Sequence, residues 1–311
     1  MEKKIYPLRL MEKPLPKIAF LILFVLLLFN TLAWIAIYDL NQPRFLEVNF
    51  FDIGQGDAIF IETPQRHQIL IDGGPGRTIL EKLNKEMPFW DRNLDLIILT
   101  HPEHDHMAGL IEVLKRYKVD YILWTGVLRD TSEYQKWSEV IENKMTQGTQ
   151  IKIARAGQKI ILQGLNLCNF IDILYPFEDL EGKMVKNTNN TSIVSRLIFG
   201  QNSFLFTGDI YQKVEKELVE KEAAQKEFKL LSTVLKIAHH GSKTSSGEEF
   251  FERVAPEIAV ISAGKDNSYG HPHQEVLEKL NKFDIKTLRT DLNGDIKVVS
   301  DGLKFKIKTQ K

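Results

Sequence analysis

Leu96-Ile97-Ile98-Leu99-Thr100-His101-Pro102-Glu103-His104-Asp105-His106 passes from an unbroken apolar run to three histidines and two carboxylates. A short run with no polar alternation reads as a strand covered on both faces, and the helical period that follows over 107–117 makes the segment a strand, a polar turn and a helix. Open α/β sheets place their sites at such strand ends. Imidazole and carboxylate together suit Zn2+, Mn2+ or Fe, and five possible donors on one turn converge without long-range precision. The plainer alternative is a solvated turn in which Asp105 or His106 caps the next helix.

The same pattern recurs outward along the chain. Phe204-Leu205-Phe206 runs into Thr207-Gly208-Asp209, and the apolar stretch 234–238 runs into His239-His240-Gly241-Ser242. Further strands are expected at 45–51, 58–62, 68–71, 170–174, 193–199, 258–261, 296–299 and 303–307. Helical spacing fits 78–87, 132–144, 211–227, 247–253 and 274–282. Strands interleaved with helices predict an α/β or mixed-sheet architecture, with 45–311 as one domain.

Composition agrees with a folded chain: 43% of the 311 residues are hydrophobic and 26% charged, which excludes a wholly disordered protein. Basic and acidic residues each number 41, so no bulk cationic field draws the chain onto nucleic acid, and any such contact is local. The one cysteine, Cys168, excludes an intrachain disulfide or a thiolate metal cluster and reads as a buried apolar residue.

Residues 18–38 hold no charged side chain and are long enough to span a bilayer core of about 30 Å. Lys3, Lys4, Arg9, Lys13 and Lys17 precede them against Glu2 and Glu12, a net of three positive charges. The positive-inside bias then predicts a cytoplasmic tail (1–17), an anchor (18–38), a linker (39–44) and an extracytoplasmic domain. A cleaved signal peptide is the competing reading, but the run is long and lacks a clear A-x-A site. Trp34 and Tyr38 suit an interfacial belt.

The turn resembles that of the metallo-β-lactamase superfamily, His-x-His-x-Asp-His, through His101, Asp105, His106 and Gly109, with Glu103 in place of the second histidine. Five further motifs stand around it: Asp52-Ile53-Gly54-Gln55-Gly56-Asp57, Leu70-Ile71-Asp72-Gly73-Gly74, Asn189-Asn190-Thr191-Ser192, His239-His240-Gly241-Ser242 and Tyr269-Gly270-His271-Pro272-His273. With Thr207-Gly208-Asp209 they make the chain similar to the C-terminal domain of ComEC-type competence DNA-uptake proteins. The resemblance implies a four-layer αββα sandwich and two divalent ions, Zn or Mn. It implies a ligand set drawn from His101, Glu103, Asp105, His106, Asp209, His271 and His240, with Asp209 bridging. His239 and His240 are candidates for the second ion or for protonating the leaving oxygen, and the sequence does not divide these roles between them. Asp72 is expected to orient ligands. Asn190 falls where many relatives carry a histidine, and with Glu103 it makes the site richer in oxygen and manganese a serious candidate. Asp57, Ser242 and Lys243 are expected beside the substrate, with His104, Asn189, Thr244, His273 and Arg77 as neighbours; His67 reads as surface.

The implied activity is metal-dependent phosphodiester hydrolysis, with DNA as substrate and Asp105, His239 and His240 as catalytic residues. One membrane segment cannot conduct DNA, so a separate uptake channel is the expected partner. Two alternatives stand beside it: a phosphorylcholine-esterase-like hydrolase of small phosphodiesters, and a catalytically silent, membrane-anchored binding subunit.

Overall fold

The computed structural model describes residues 17–41, 45–162 and 170–311. The basic tail up to residue 16, linker residues 42–44 and Cys168 lie outside them. The chain divides into two compact units at Pro43.

In the first, helix α1 (Lys17–Asn41) is long and apolar enough to cross a membrane. Its apolar side chains are exposed on every face, from Ile18 to Ile35. A helix without a polar face has no side suited to water. The Thr31 hydroxyl donates to the Leu27 carbonyl at 2.8 Å, so even this polar group is satisfied within the helix.

The second unit holds two sheets. One runs in the order β15 (Phe305–Thr309), β14 (Ile296–Ser300), β1 (Leu46–Phe50), β2 (Ile59–Glu62), β3 (Gln68–Ile71), β4 (Asn93–Ile98), β5 (Lys118–Trp124) and β6 (Gln150–Ile153). The other runs β13 (Lys286–Arg289), β12 (Ile258–Ile261), β11 (Val234–Lys236), β10 (Asn202–Phe206), β9 (Val194–Phe199), β8 (Phe170–Tyr175) and β7 (Lys159–Ile161). In each, a parallel half is made by helical crossovers. α2 (Thr78–Glu86), α3 (His104–Leu114) and α4 (Ser132–Thr146) join β3 to β6. α5 (Gln212–Ala224), α6 (Glu248–Val254) and α7 (Gln274–Lys282) join β10 to β13, and a single turn, α8 (Thr290–Asn293), leads into β14.

Side-chain alternation explains the layering. Ile69, Ile71, Leu96, Ile98, Phe204 and Phe206 point between the sheets into one core. Leu70 and Ile97 point the other way into the core beneath α2–α4, and Leu205 into the one beneath α5–α7. Period-two strands covered on both faces read as continuous apolar runs, and each large side chain so buried is worth about 1.5–3 kcal/mol. The result is the four-layer αββα sandwich of the metallo-β-lactamase fold.

The structure corrects several expected boundaries. The helix expected over 107–117 begins at His104, with Glu103 extended at its N-cap, so Asp105 and His106 lie in the first turn. The strand expected over 234–238 ends at Lys236. β5, β6, β7 and β13 were not anticipated. β6, β7 and β13 are edge or near-edge strands with exposed polar positions, Lys152 and Lys286 among them, and polar edges erase the apolar signal.

Candidate metal centre

Both sheets send the C-terminal ends of their parallel strands to one place. β3 delivers Asp72, β4 delivers Thr100 and His101, and the first turn of α3 delivers Asp105 and His106. From the second sheet, β10 delivers Asp209, the short turn after β11 delivers His240, and the segment between β12 and α7 delivers His271. α3 is seated backbone to backbone on the end of β3. The Gly109 amide donates to the Gly74 carbonyl at 2.8 Å, and a Cβ on Gly109 would stand 1.8 Å from the Gly73 oxygen. Only glycine there lets the histidine turn reach its depth.

One ligand atom from each of Asp105, His106, Asp209 and His240 lies within 4.8 Å of all the others. Asp209 Oδ2 is 3.3 Å from His106 Nε2 and 3.3 Å from His240 Nε2, while His101 Nε2 stands 4.0 Å away. Asp105 closes the group at 3.2 Å from His240 Nε2. The far ring nitrogens are tied back. His106 Nδ1 donates to Asp72 at 2.8 Å, His240 Nδ1 donates to the Ser262 carbonyl at 2.9 Å, and His101 Nδ1 meets the Thr100 hydroxyl at 3.0 Å. Asp72 also accepts from the Thr100 amide and hydroxyl, at 2.8 and 2.7 Å. These bonds aim each Nε2 inward. The Nε2 atoms of His101, His106 and His240 and the Asp209 Oδ1 are buried with no hydrogen-bond partner. Leaving one such group bare costs about 1–3 kcal/mol, and the unpartnered Nε2 atoms of His106 and His240 together with Asp105 and Asp209 form a set of donors that fits a divalent cation.

Charge dominates the centre. Burial opposes the imidazolium forms of His106 and His240, yet Asp209 and the other surrounding carboxylates outweigh it and hold both well above the ordinary histidine range. Burial likewise opposes the Asp209 charge, and His240 and His106 overcome it, keeping the carboxyl well below its usual range. His101, deeper and facing His106, is pushed down to about 3 by burial first and that neighbouring charge second. A dication would replace the protons that reconcile these charges.

His239 and His240 both take left-handed backbone angles, φ 50° and 55°. Non-glycine residues adopt these at a cost of order 1–3 kcal/mol. The Gly208 carbonyl accepting from the His239 amide at 3.2 Å, and the Ser245 hydroxyl donating to the Ala238 carbonyl at 2.9 Å, pin the turn. The two side chains separate as a result: His240 is buried among the carboxylates, whereas His239 is half-buried and stacks on Tyr211 at 5.1 Å. His239 Nδ1 meets the Thr244 hydroxyl at 3.0 Å and its Nε2 meets the Asn189 amide nitrogen at 3.3 Å. Burial, more than any neighbour, pulls its proton affinity below the usual range. His271 stacks on Tyr269 with its Nδ1 buried and unpartnered, and burial lowers it to about 4.

The remaining residues singled out from the sequence fall at varying distances. Glu103 borders the pocket, but its carboxylate is held by Arg129 at 3.1 Å and by the Thr188 hydroxyl. Asn190 accepts from the Tyr211 amide at 2.9 Å, and its neighbour Asn189 lines the pocket. Asp57 is buried under His240, 3.4 Å from Nδ1, and pairs with Lys236 at 2.9 Å. Ser242 is buried and braces Thr244 at 3.0 Å, and Lys243 is exposed with its amide donating to His273. His104 turns outward to Glu133, Arg77 pairs with Glu112, and His67 lies near Asp95. Sequence reading missed Arg129, Thr188, Tyr211 and Lys236. Only Lys236 left a trace, as a lysine inside an apolar run. The pocket at the centre is open and of about 140 Å3, lined by Gln55, Glu103, Asp105, Asn189, Asp209, His239, His240, Tyr269 and His271. A larger cavity of about 380 Å3, between Tyr121 and Lys159, holds none of these groups.

Residues 51–265 match the metallo-beta-lactamase superfamily. The chain is similar to ComE operon protein 3 of Bacillus subtilis (strain 168), 33% identical over 267 residues, covering 80% of this chain and 32% of that protein. It is also similar to Competence protein ComA of Neisseria gonorrhoeae, 31% identical, covering 79% of this chain and 31% of that one. The chain thus spans about a third of the length of these relatives. Among solved structures, Igni18, a metallo hydrolase of Ignicoccus hospitalis, superposes with a TM-score of 0.51 at 15% identity, covering 81% of this chain and 98% of that one.

Proposed function

The chain belongs to the metallo-beta-lactamase superfamily of hydrolases, and from that we propose that it is a metal-dependent phosphodiesterase acting on DNA in the service of DNA uptake. The observation that carries the reading is the convergence of ligand atoms from Asp105, His106, Asp209 and His240 beside an open pocket, with the Nε2 atoms of both histidines buried and unpartnered. The similarity to competence proteins, Competence protein ComA among them, supports DNA as the substrate.

Asp105, His106, Asp209 and His240 would hold a divalent ion, with His101 beside them, and oxygen-rich donors admit manganese as well as zinc. Such an ion lowers the pKa of a water and polarises a phosphoryl oxygen. The chain's own groups do the rest. Asp105, half-buried at the pocket wall, accepts a hydrogen bond from the attacking water and aims it. Asp72 holds His106 in the tautomer that presents Nε2. His239, at the mouth, is neutral at rest, so a proton it passes to the leaving oxygen is first taken up during attack. Asn189 and Tyr269 line the same opening, where an amide and a ring suit a phosphate and a base.

For the whole chain we propose a cytoplasmic tail to residue 17, an anchor at 18–38, a linker to 44 and an extracytoplasmic hydrolase domain working beside a separate channel. The test is elemental analysis of the detergent-solubilised full chain, then a panel of single-stranded DNA, duplex DNA, RNA and bis(p-nitrophenyl) phosphate. Cleavage of DNA dependent on added Mn2+ or Zn2+ is expected. Metal-loaded protein that cleaves only the small diester, or nothing, refutes the DNA assignment. Protease added outside intact cells should digest the domain, and protection would refute the orientation.

A further inference from the structure

We infer that, with α1 as the anchor proposed above, one end of the hydrolase domain is a membrane-seating face, its wedge formed by Phe89 and Trp90 and its occupant the surface of a lipid bilayer.

Strand register places the face. Leu46, where the chain enters β1, pairs with Ser300 at the end of β14, and Glu47 pairs with Glu62 at the end of β2. Glu62 pairs in turn with Gln68 at the start of β3, which runs parallel to β4. The strand ends opposite the metal centre therefore gather beside the entry point. In the second sheet the turn between β9 and β10 is level with them, because the Gln201 amide donates to the Gly302 carbonyl at 2.6 Å and the Ser300 hydroxyl donates to Asn202 Oδ1 at 2.6 Å.

Large apolar side chains stand uncovered at this end. Phe45 immediately precedes β1, Leu303 lies in the turn between β14 and β15, Leu231 leads into β11, and Phe89 and Trp90 lie in the turn that leads into β4. Phe89 is 80% and Trp90 74% exposed, and their rings meet edge to face at 4.7 Å. The turn beneath them is fixed. The Asp91 amide donates to the Pro88 carbonyl at 2.9 Å, the Asp91 carboxylate accepts from the Gln68 side chain at 3.0 Å, and the Arg92 carbonyl accepts from the Lys118 amide at 2.8 Å. Single exposed apolar side chains are ordinary on any protein, whereas a pinned turn that presents two adjacent aromatic rings marks a contact surface. Tryptophan, apolar in body and polar at its N–H, suits the boundary between headgroups and acyl chains.

The reach of the chain selects a bilayer as the occupant. From Asn41, the last residue of α1, to Leu46 the backbone extends at most about 18 Å. A domain tethered so closely to an anchor turns toward the lipid the end on which the tether arrives. Arg66, Arg92 and Lys304 around the face are offset by Asp91 and Asp301, so the contact is apolar and does not call for anionic lipid. Seated this way, the domain holds its metal pocket at the other end of the six-residue strand β4, roughly 20 Å from the lipid and open to a substrate in the aqueous phase.

The full chain is placed in nanodiscs of phosphatidylcholine brominated along its acyl chains, which quenches indoles at the lipid. In Trp34→Phe, brominated lipid should quench the emission of Trp90, and the loss should vanish in Trp34→Phe/Trp90→Phe. Adding Tyr269→Trp to that double variant sets an indole at the metal pocket, and its emission should stay unquenched. In Trp90→Phe alone, quenching of Trp34 reports the anchor. Trp34 quenched with Trp90 untouched, or quenching of the indole introduced by Tyr269→Trp, would overturn the inference and leave the anchor standing. Trp34 untouched by the brominated lipid would sink the anchor, and the seat with it. A dimer in detergent that Phe89→Ser/Trp90→Ser breaks apart, without quenching of Trp90 in nanodiscs, would assign the face to a second copy of the chain and overturn the inference as well.

Discussion

Replacing Lys236 by methionine tests the electrostatic frame beneath the centre. Lys236 and Asp57 are both almost wholly buried and 2.9 Å apart, and the ammonium also donates to the Ile237 carbonyl at 2.7 Å. At an effective dielectric near 20 their attraction is about 6 kcal/mol. Burial opposes the Asp57 charge, and Lys236 does most to overcome it, holding the carboxyl below its ordinary range. Desolvation offsets most of that attraction, so the pair as a whole contributes little. Removing one partner differs, because it leaves an uncompensated charge at a cost of about 3–5 kcal/mol. Lys236→Met should therefore lose roughly 6–15 °C in Tm, followed by near-ultraviolet circular dichroism. In the variant the folded-state pKa of Asp57 rises above its unfolded value of about 3.9. The folded state then binds the proton more tightly, so the deficit relative to the parent should shrink as pH falls from 8 to 5. Lys236→Met/Asp57→Asn should regain most of the loss. A deficit below about 1 kcal/mol, or a double variant no better than the single, would refute the reasoning.

Further outcomes are expected from three other positions. Asp209→Ala should lose bound metal and nearly all hydrolysis while keeping its far-ultraviolet spectrum; full activity would remove Asp209 from the centre. Asp72→Asn should weaken metal affinity roughly 10- to 100-fold, because the His106 Nδ1 bond loses its carboxylate, and an unchanged titration would count against that bond. Glu215 is buried and pushed up to about 7 by that burial, against the Gly247 and Ser246 amides that it accepts. A raised folded pKa means stability fully present below the unfolded value near 4.3 and lost as pH rises through 7. Over that window the parent should lose about 3 kcal/mol that Glu215→Gln does not, as read by denaturant melts at several pH values.

Much of the architecture is legible in the residues because its strands are covered on both faces. Runs such as 96–100 and 204–206 carry no solvent-facing position to break the signal, and each stops where polar donors begin. The edges fail for the opposite reason: β6 exposes Gln150 and Lys152 and β13 exposes Lys286, so their pattern resembles loop. At the centre, residues clustered along the chain, as in 101–106, announce themselves by density. Arg129 and Lys236 do not, since each acquires meaning only from a carboxylate distant in sequence, Glu103 for one and Asp57 for the other. The different placement of His239 and His240 is equally hidden. Adjacent and chemically identical, they are separated only by a left-handed turn that no periodicity encodes.

That the donors arrive from both sheets has a consequence for how the protein matures. Asp105 and His106 belong to the first half of the chain, Asp209 and His240 to the second, and neither half alone presents more than two of the four. A divalent ion held by these four would therefore be captured only once the two sheets have docked, and it would clasp the interface between them late in folding.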